Sequence, residues 1–379
     1  MYRNVILLMS ISKSRINRSK LRKNSVTQRQ IPKNSYLCKV NAIIPMVTID
    51  SIRKPVLADL AAFDEFVRGN FNAEGELLQE MLVHVLSSRG KGIRPVLTML
   101  SAAINSPHEQ IDGDGRRCSK RTYLAAMLVE MIHTSSLIHD DVLDSSDTRR
   151  GRPSVNAMWQ SNNAVILGDY ILARTLSIGM ASAQYDLVSH LGAAIATLCE
   201  GEVLQNQHAE RLDTTREDYL SIIHRKTASL LGLSASLGAM SVGADRRAVE
   251  RMRRFGEALG MAFQIQDDIL DYRRTADTGK PSINDLREGK ITLPLIEILE
   301  RCDEAERSRI MELVRRCRDD QSAVDAVQAE VDARGGERLA AVTMRCYLER
   351  GMHYLSEYAE SDCLSALLDL CAYVTERNR

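Results

Sequence analysis

No proline falls between Pro153 and Pro281, and none after Pro294. Stretches of that length without a helix breaker, rich in Ala, Leu, Met, Glu and Arg, point to helices. No segment alternates β-branched and polar residues over the length of a strand, which argues against a sandwich or barrel. Aromatic residues make up only 4% of the chain. The eight cysteines include no C-x-x-C pair, which argues against structural zinc. They are scattered. Cys199, Cys302 and Cys346 fall in helical patterns where a small buried apolar side chain fits, so reduced core thiols in a reducing compartment are expected. Asp and Glu are absent from residues 1–49, which hold ten Lys or Arg.

That absence hides a charge asymmetry. Lys and Arg together number 50, as do Asp and Glu, so the chain from residue 50 onward carries forty basic against fifty acidic groups. A basic, Ser-containing, acid-free leader has the composition of a mitochondrial transit peptide. A basic tail, or sequence upstream of a start at Met46, is the alternative. The leader's apolar run is far short of membrane-spanning length, and no transmembrane segment is expected. From residue 50 the pattern is helix after helix: 57–88, 122–144, 155–183, 186–210, 217–241 and 246–272. Polar loops are expected at 105–121 and 275–290, and the helical tail breaks near Gly335–Gly336. With no fixed-period repeat and no linker composition, the expected architecture is a single all-α domain over residues 50–379 behind the leader.

Two of these helices end in the same arrangement of acids. In LIHDDVLDSSDTRRG (137–151), Asp140 and Asp144 are four apart and stack on one helix face. Asp141 is three before Asp144, and His133 lies two turns back from Asp140. In QIQDDILDY (264–272), Asp267 and Asp271 repeat the spacing, with Asp268 between them and Gln264 one turn earlier. Like charges at this spacing destabilise an isolated helix. A solvated acidic face would account for one copy. Two copies, each preceded by strongly apolar turns, call for a compensating cation, and hard carboxylate oxygens suit Mg²⁺ together with phosphate oxygens.

The basic residues are ordered too. Lys91 and Arg94 lie three apart at a helix start in GKGIRP, with Pro95 compatible with the first turn. Arg149 and Arg150 follow the first acid cluster, Lys226 and Thr227 sit in HRKTASL, and Lys280 and Lys290 bracket the loop after the second cluster. Arg grips phosphate bidentately and Lys as a point charge. Two kinds of anion site follow, one bridged by metal and one held by cations. Nucleic acid is disfavoured, because the carboxylate clusters repel it.

GKGIRP, DDVLDSSDTRRG, GEVLQ (201–205), HRKTASL, MAFQIQDDILDY and the lysines around DLREGK occur in an order that resembles the trans-isoprenyl diphosphate synthase family. The likeness covers roughly residues 50–379, and it is greatest to the long-chain, solanesyl-type polyprenyl diphosphate synthases. The resemblance implies a bundle of mostly antiparallel helices around a deep central cavity, usually homodimeric, and an enzyme that condenses isopentenyl diphosphate with an allylic diphosphate. It implies Mg²⁺, usually three ions, held by Asp140, Asp141 and Asp144 of the first cluster and Asp267 and Asp271 of the second, with Asp268 and Lys226 also in the catalytic set. Arg149, Lys226, Thr227, Gln264 and Lys280 would hold the allylic diphosphate. Lys91, Arg94, His133 and Arg150 would hold isopentenyl diphosphate, and Lys290 is a weaker assignment. The chemistry needs no dedicated base, since released diphosphate can take the proton, and no Ser–His–Asp or Cys–His set stands out. His139 is expected to pack or hydrogen-bond, not to bind metal.

Product length follows from the helix below Asp140. Family members with short products place an aromatic four or five residues earlier, where this chain has Ser136 and Ser135. Met131 and Ile132 come next, then Met127 and Leu128. One helical turn rises about 5.4 Å, close to one isoprene unit. A long product is expected, C40–C50 with C45 favoured, such as a ubiquinone side chain, and Ser135→Phe or Tyr is expected to shorten it. The alternatives weighed are a short-chain farnesyl or geranylgeranyl synthase, a non-catalytic subunit of a heteromeric synthase, and a terpene cyclase. Ser135 and Ser136 oppose the first, two intact acid clusters oppose the second, and GKGIRP with the second cluster opposes the third.

Overall fold

The computed structural model describes residues 47–87, 90–106, 113–272 and 284–376. The expected leader, up to residue 46, and Lys280 lie outside them. The helices are α1 (Ile49–Arg53), α2 (Leu57–Asn70), α3 (Glu76–Ser87), α4 (Ile93–Asn105) and α5 (Lys120–Leu143). A hairpin of β1 (Thr148–Arg149) and β2 (Arg152–Pro153) leads to α6 (Val155–Ala181), α7 (Tyr185–Val188), α8 (Leu191–Arg211) and α9 (Arg216–Ile223). A widened π-helical turn, His224–Ala228, joins α9 to α10 (Ser229–Ser241), followed by α11 (Arg246–Tyr272) and α12 (Asn284–Arg287). The tail is α13 (Leu293–Leu299), α14 (Glu304–Arg316), α15 (Gln321–Arg334), α16 (Gly336–Leu355) and α17 (Asp362–Glu376).

Local chemistry sets the boundaries. Capping boxes start three helices, Thr48 with Ser51, Thr215 with Asp218 and Asp303 with Glu306, each satisfying two otherwise orphan N–H groups. Gly335, at φ 69°, ends α15 in the left-handed conformation. At the centre, α10 (SLLGLSASLGAMS) is buried on nearly every side. It packs against α4, α5 and α11, and α16 covers α11 from outside. A helix apolar all round belongs in a core, and its Ser, Ala and Gly side chains let neighbouring backbones approach. Thus α10 holds α5 and α11 together, with both acid clusters at the same end of the bundle.

Asp59 in α2 shows how the long helices are anchored. It is wholly buried. Its oxygens accept from the backbone N–H of Arg117 (3.0 Å) and Cys118 (2.9 Å) and from the Tyr123 hydroxyl (2.8 Å). These bonds fix the entry to α5, whose far end carries Asp140. Asp59→Ala strands one buried and two part-buried donors, so it is expected to destabilise the protein by about 3 kcal/mol, read as a lower denaturant midpoint.

One expectation needs correction. Cys199 and Cys346 are exposed and Cys302 is half-buried in a turn after α13; the buried thiols are Cys317, Cys363 and Cys371. Helical context does not say which face a residue occupies. The helix α6 and the segment Tyr185–Arg211 are long and apolar enough, by length and composition, to cross a membrane. Yet α6 packs along α5, and Tyr185–Arg211 is interrupted between α7 and α8. Both belong to the helical bundle.

Candidate active site

His133, Ser136, Leu137 and Asp140 recur at three- and four-residue spacing on one face of α5 and line a cavity of about 670 Å³. Phe263, Gln264 and Asp267 of α11 line it from a second side. Lys91 and Arg94 enter at the start of α4, Arg149 and Arg150 from the hairpin, Lys226 and Thr227 from the π turn, and Leu198 and Glu202 from α8. One cavity therefore gathers both acid helices and nearly every cation singled out in the sequence.

The hairpin presents its arginines through a tight turn. Thr148 pairs with Pro153 and Arg149 with Arg152, leaving Arg150 and Gly151 as the two turn residues. Both have positive φ, 55° and 74°, the type I′ geometry that suits a two-residue hairpin. Gly adopts it freely, whereas Arg150 does so at a cost of about 1 kcal/mol. Strain of this kind gathers at functional sites. Arg149 Nε donates to Asp141 Oδ1 at 2.8 Å.

The π turn is the second device. Its extra residue rotates Lys226 and Thr227 toward the cavity, as single π turns often do at functional sites. Gly201 makes room for it: a Cβ there would lie 2.8 Å from Arg225 Cβ and 3.0 Å from the Lys226 backbone nitrogen. With α8 this close, Glu202 Oε2 reaches Lys226 Nζ at 2.6 Å, and Lys226 Nζ donates to Gln205 Oε1 at 3.1 Å. Thr227 Oγ1 donates to Gln264 Oε1 at 2.8 Å.

The second cluster divides its labour. Asp267 faces the cavity. Asp268 is buried and accepts from the Tyr219 hydroxyl at 2.6 Å and from Gln264 Nε2 at 2.9 Å. Burial, then the Asp268 charge, pushes the Tyr219 phenol well above its ordinary pKa, so it remains a donor. Asp271 has one carboxylate oxygen, Oδ2, buried without a hydrogen-bond partner among the described residues. Lys290 Nζ lies 3.9 Å from Asp144 Oδ1 and pairs with Glu288.

The electrostatics favour a ligand carrying positive charge. Both clusters sit at helix C-termini, where the macrodipole is already negative. Burial pushes Asp140 up to about 6, against the pull of Lys226. Burial and then Asp285 push Asp268 to about 7 and Asp271 to about 8. Burial brings Arg94 down to about 10, with Glu130 opposing. Burial, then Arg94 and Arg150, holds His133 well below its ordinary value, so its imidazole is neutral. The three aspartates bind more protons folded than unfolded between pH 4 and 8. Their folded-state stability is therefore full below about pH 4 and is lost as pH rises through 6 to 8. Metal-free protein is expected to melt roughly 2–4 °C lower at pH 8 than at pH 5.5, and Mg²⁺ with diphosphate to recover more at pH 8, both read by scanning calorimetry.

Some residues are placed differently from expectation. Asp141, only 4% exposed and paired with Arg149, is turned away from the cavity that Asp140 lines; one residue along a helix is a rotation of about 100°. Asp144, exposed at the end of α5, is not among the lining residues. Of the chain-length residues, Ser136 lines the cavity, whereas Ser135 is buried with its hydroxyl on Gly168 O of α6 at 2.8 Å. Met131 and Ile132 are buried away from it. His139, as expected, is a hydrogen-bonding residue, 3.2 Å from Val165 O. Sequence reasoning assigned no role to Glu130, Glu202, Gln205, Tyr219 or Asp285. Glu202 and Gln205 lie within GEVLQ at one-turn spacing, and Glu130 sits one turn before His133, so periodicity could have found those three.

Carboxylates from the ends of two helices facing a cation-lined cavity inside an all-α bundle define a prenyl-transfer type of site. A model of the polyprenyl synthetase family matches residues 75–331. The chain is 35% identical over 327 residues to an all-trans-nonaprenyl-diphosphate synthase (geranyl-diphosphate specific) of Rhodobacter capsulatus, covering 86% of this chain and 97% of that one. It is 35% identical over 334 residues to heptaprenyl diphosphate synthase component 2 of Geobacillus stearothermophilus, covering 84% and 96%. The crystal structure of a polyprenyl synthase from Caulobacter crescentus CB15, complexed with calcium and isoprenyl diphosphate, matches with a TM-score of 0.78 and 28% identity, covering 89% and 100%. The chain belongs to the polyprenyl synthetase family, and it is a trans-prenyltransferase.

Proposed function

We propose that this enzyme condenses isopentenyl diphosphate with farnesyl or geranylgeranyl diphosphate, repeatedly, to an all-trans polyprenyl diphosphate of C40–C50, C45 favoured. The observation that carries this reading is the shared cavity, with Asp140 on one wall, Asp267 on another and Arg94, Arg149, Lys226 and Thr227 between them. The donor set fits Mg²⁺. It consists of hard carboxylate oxygens, and Asp271 keeps one buried oxygen unsatisfied. Among the described residues no three His, Cys, Asp or Glu side chains are gathered closely enough to hold an ion unaided, and diphosphate oxygens would supply the remaining ligands. Calcium with isoprenyl diphosphate in the Caulobacter relative supports the same reading. Asp140, Asp267 and Asp271 would hold the metal, with Asp144 at the rim and Asp141 acting through Arg149.

When bound, Mg²⁺ neutralises charge that grows on the departing diphosphate. The chain's own residues do the rest. Lys226, Thr227 and Gln264 hold the allylic diphosphate. As its C–O bond breaks, the electron pair leaves with the diphosphate, and Lys226 and Arg149 stabilise that charge. Leu137, Leu198 and Phe263 offer the allylic cation no nucleophile. Lys91, Arg94, Arg150 and neutral His133 orient isopentenyl diphosphate, whose π electrons form the new C–C bond. The proton then lost passes to the released diphosphate. The test is incubation of the purified protein with Mg²⁺, isopentenyl diphosphate and each allylic primer, with product sizing. A chain ending at C15 or C20 would replace this reading with the short-chain one.

A dimer is part of the proposal. Met158, Val165 and Ile166 on α6 and Val203 on α8 are 47%, 41%, 60% and 68% exposed, an apolar surface that a second copy or a homologous subunit would cover. The acid-free leader supports mitochondrial targeting, and a C45 product supports supply of the ubiquinone side chain. A fluorescent fusion of residues 1–49 tests the targeting.

A further inference from the structure

Tyr219 belongs to α9, outside every motif that pointed to the reaction, and it is 3% exposed. Its hydroxyl donates to Asp268 Oδ2 at 2.6 Å. The other oxygen of Asp268 accepts from Gln264 Nε2 at 2.9 Å, and Gln264 Oε1 accepts from Thr227 Oγ1 at 2.8 Å. The four side chains thus form one hydrogen-bonded chain, Thr227 to Gln264 to Asp268 from one side and Tyr219 to Asp268 from the other, that ties α9, the π turn and α11 together. Only its outer members, Gln264 and Thr227, line the substrate cavity. Tyr219 and Asp268 line a separate polar cavity of about 150 Å³ behind them, which Lys226 and Gln264 also border.

The direction of the chain matters. An amide can present either its oxygen or its NH₂, and only NH₂ assists an anion. Asp268 accepts one amide hydrogen of Gln264, so the NH₂ lies on the side of the acid cluster, where its second hydrogen would serve a diphosphate oxygen in the cavity that Gln264 lines. Asp268 can impose this only if it is itself held. Tyr219 holds it with a short bond, charge-assisted and shielded from water, the strong class of hydrogen bond.

We propose that Tyr219 is a positioning residue for the allylic diphosphate, acting through Asp268 to fix the amide of Gln264 and the hydroxyl of Thr227. This rests on the function proposed above and deepens it by separating the two diphosphate sites: Lys91, Arg94 and His133 lie outside the network.

Tyr219→Phe keeps the ring and removes only the donor. In the full-length protein, KM for geranylgeranyl diphosphate is expected to rise about tenfold, with KM for isopentenyl diphosphate within about twofold of wild type; one lost hydrogen bond to a charged group supports an effect of this size. Asp268→Asn is expected to show the same split, and Tyr219→Phe/Asp268→Asn to be no worse than Asp268→Asn alone, because both changes break one chain. Should Tyr219→Phe fail to fold, the Asp268→Asn split carries the test. Unchanged KM values, a parallel change in both, or additive losses in the double variant overturn the proposal. Wild-type turnover in the same assay checks the function itself, so the two readings fail separately.

Discussion

Asp140→Asn and Asp267→Asn are each expected to lower kcat by about a thousandfold, the scale seen when a group stabilising transition-state charge is removed, and Asp140→Asn is expected not to lower the melting temperature of the metal-free protein. The two expectations for Asp140 share one cause. Burial pushes Asp140 up to about 6. Removing a carboxylate from such a site relieves desolvation and repulsion that the metal-free fold bears without return. The same carboxylate is needed once metal and diphosphate are bound, so the substitution trades activity for stability. Single-turnover kinetics at saturating Mg²⁺, set beside calorimetry without metal, reads both quantities. A variant that loses stability along with activity assigns the aspartate a structural role. One that keeps wild-type turnover removes the carboxylates from the chemistry.

How far these residues could be read beforehand varied with the physical signal. The span of α11 follows residues 246–272 without adjustment, because a long helix with one buried face imposes its period on every residue. The candidate 57–88 divides into α2 and α3 at FNAEG, where Asn72 and Gly75 are weak helix formers. The candidate 217–241 hides the π turn, since one extra residue per turn shifts backbone hydrogen bonds without changing which residues are apolar. The hairpin was illegible for a different reason: its strands are two residues long, too short for any alternation. At the site, spacing put Asp141 on much of the face that Asp140 and Asp144 share, and its phase is where the structure differs. That question of phase was settled by Arg149, whose position depends on the unseen hairpin. Tyr219 and Asp285 reach the second cluster across the fold, and no local pattern announces such a contact.

The same question of phase decides which serine governs product length. Ser136 faces the cavity, and among the described residues its hydroxyl bonds within its own helix, to His133 O at 2.9 Å. Ser136→Phe therefore breaks no bond between helices and adds a ring to the wall beneath Asp140. If the product grows along this wall, it stops early, and C15–C20 diphosphates are expected in place of C40–C50. Ser135 is in the opposite situation. It is 3% exposed and bonded to Gly168 O, in a seam so close that a Cβ on Gly168 would lie 2.2 Å from His139 Nε2. Ser135→Phe has no space for a ring, and overpacking on this scale costs roughly 1–3 kcal/mol or more. It is expected to lower the melting temperature and to leave the folded fraction making the long product. Chromatographic sizing of products from both variants separates the faces. Full-length product from folded Ser136→Phe places the growing chain elsewhere, and shortening by Ser135→Phe alone moves the tunnel to the seam between α5 and α6.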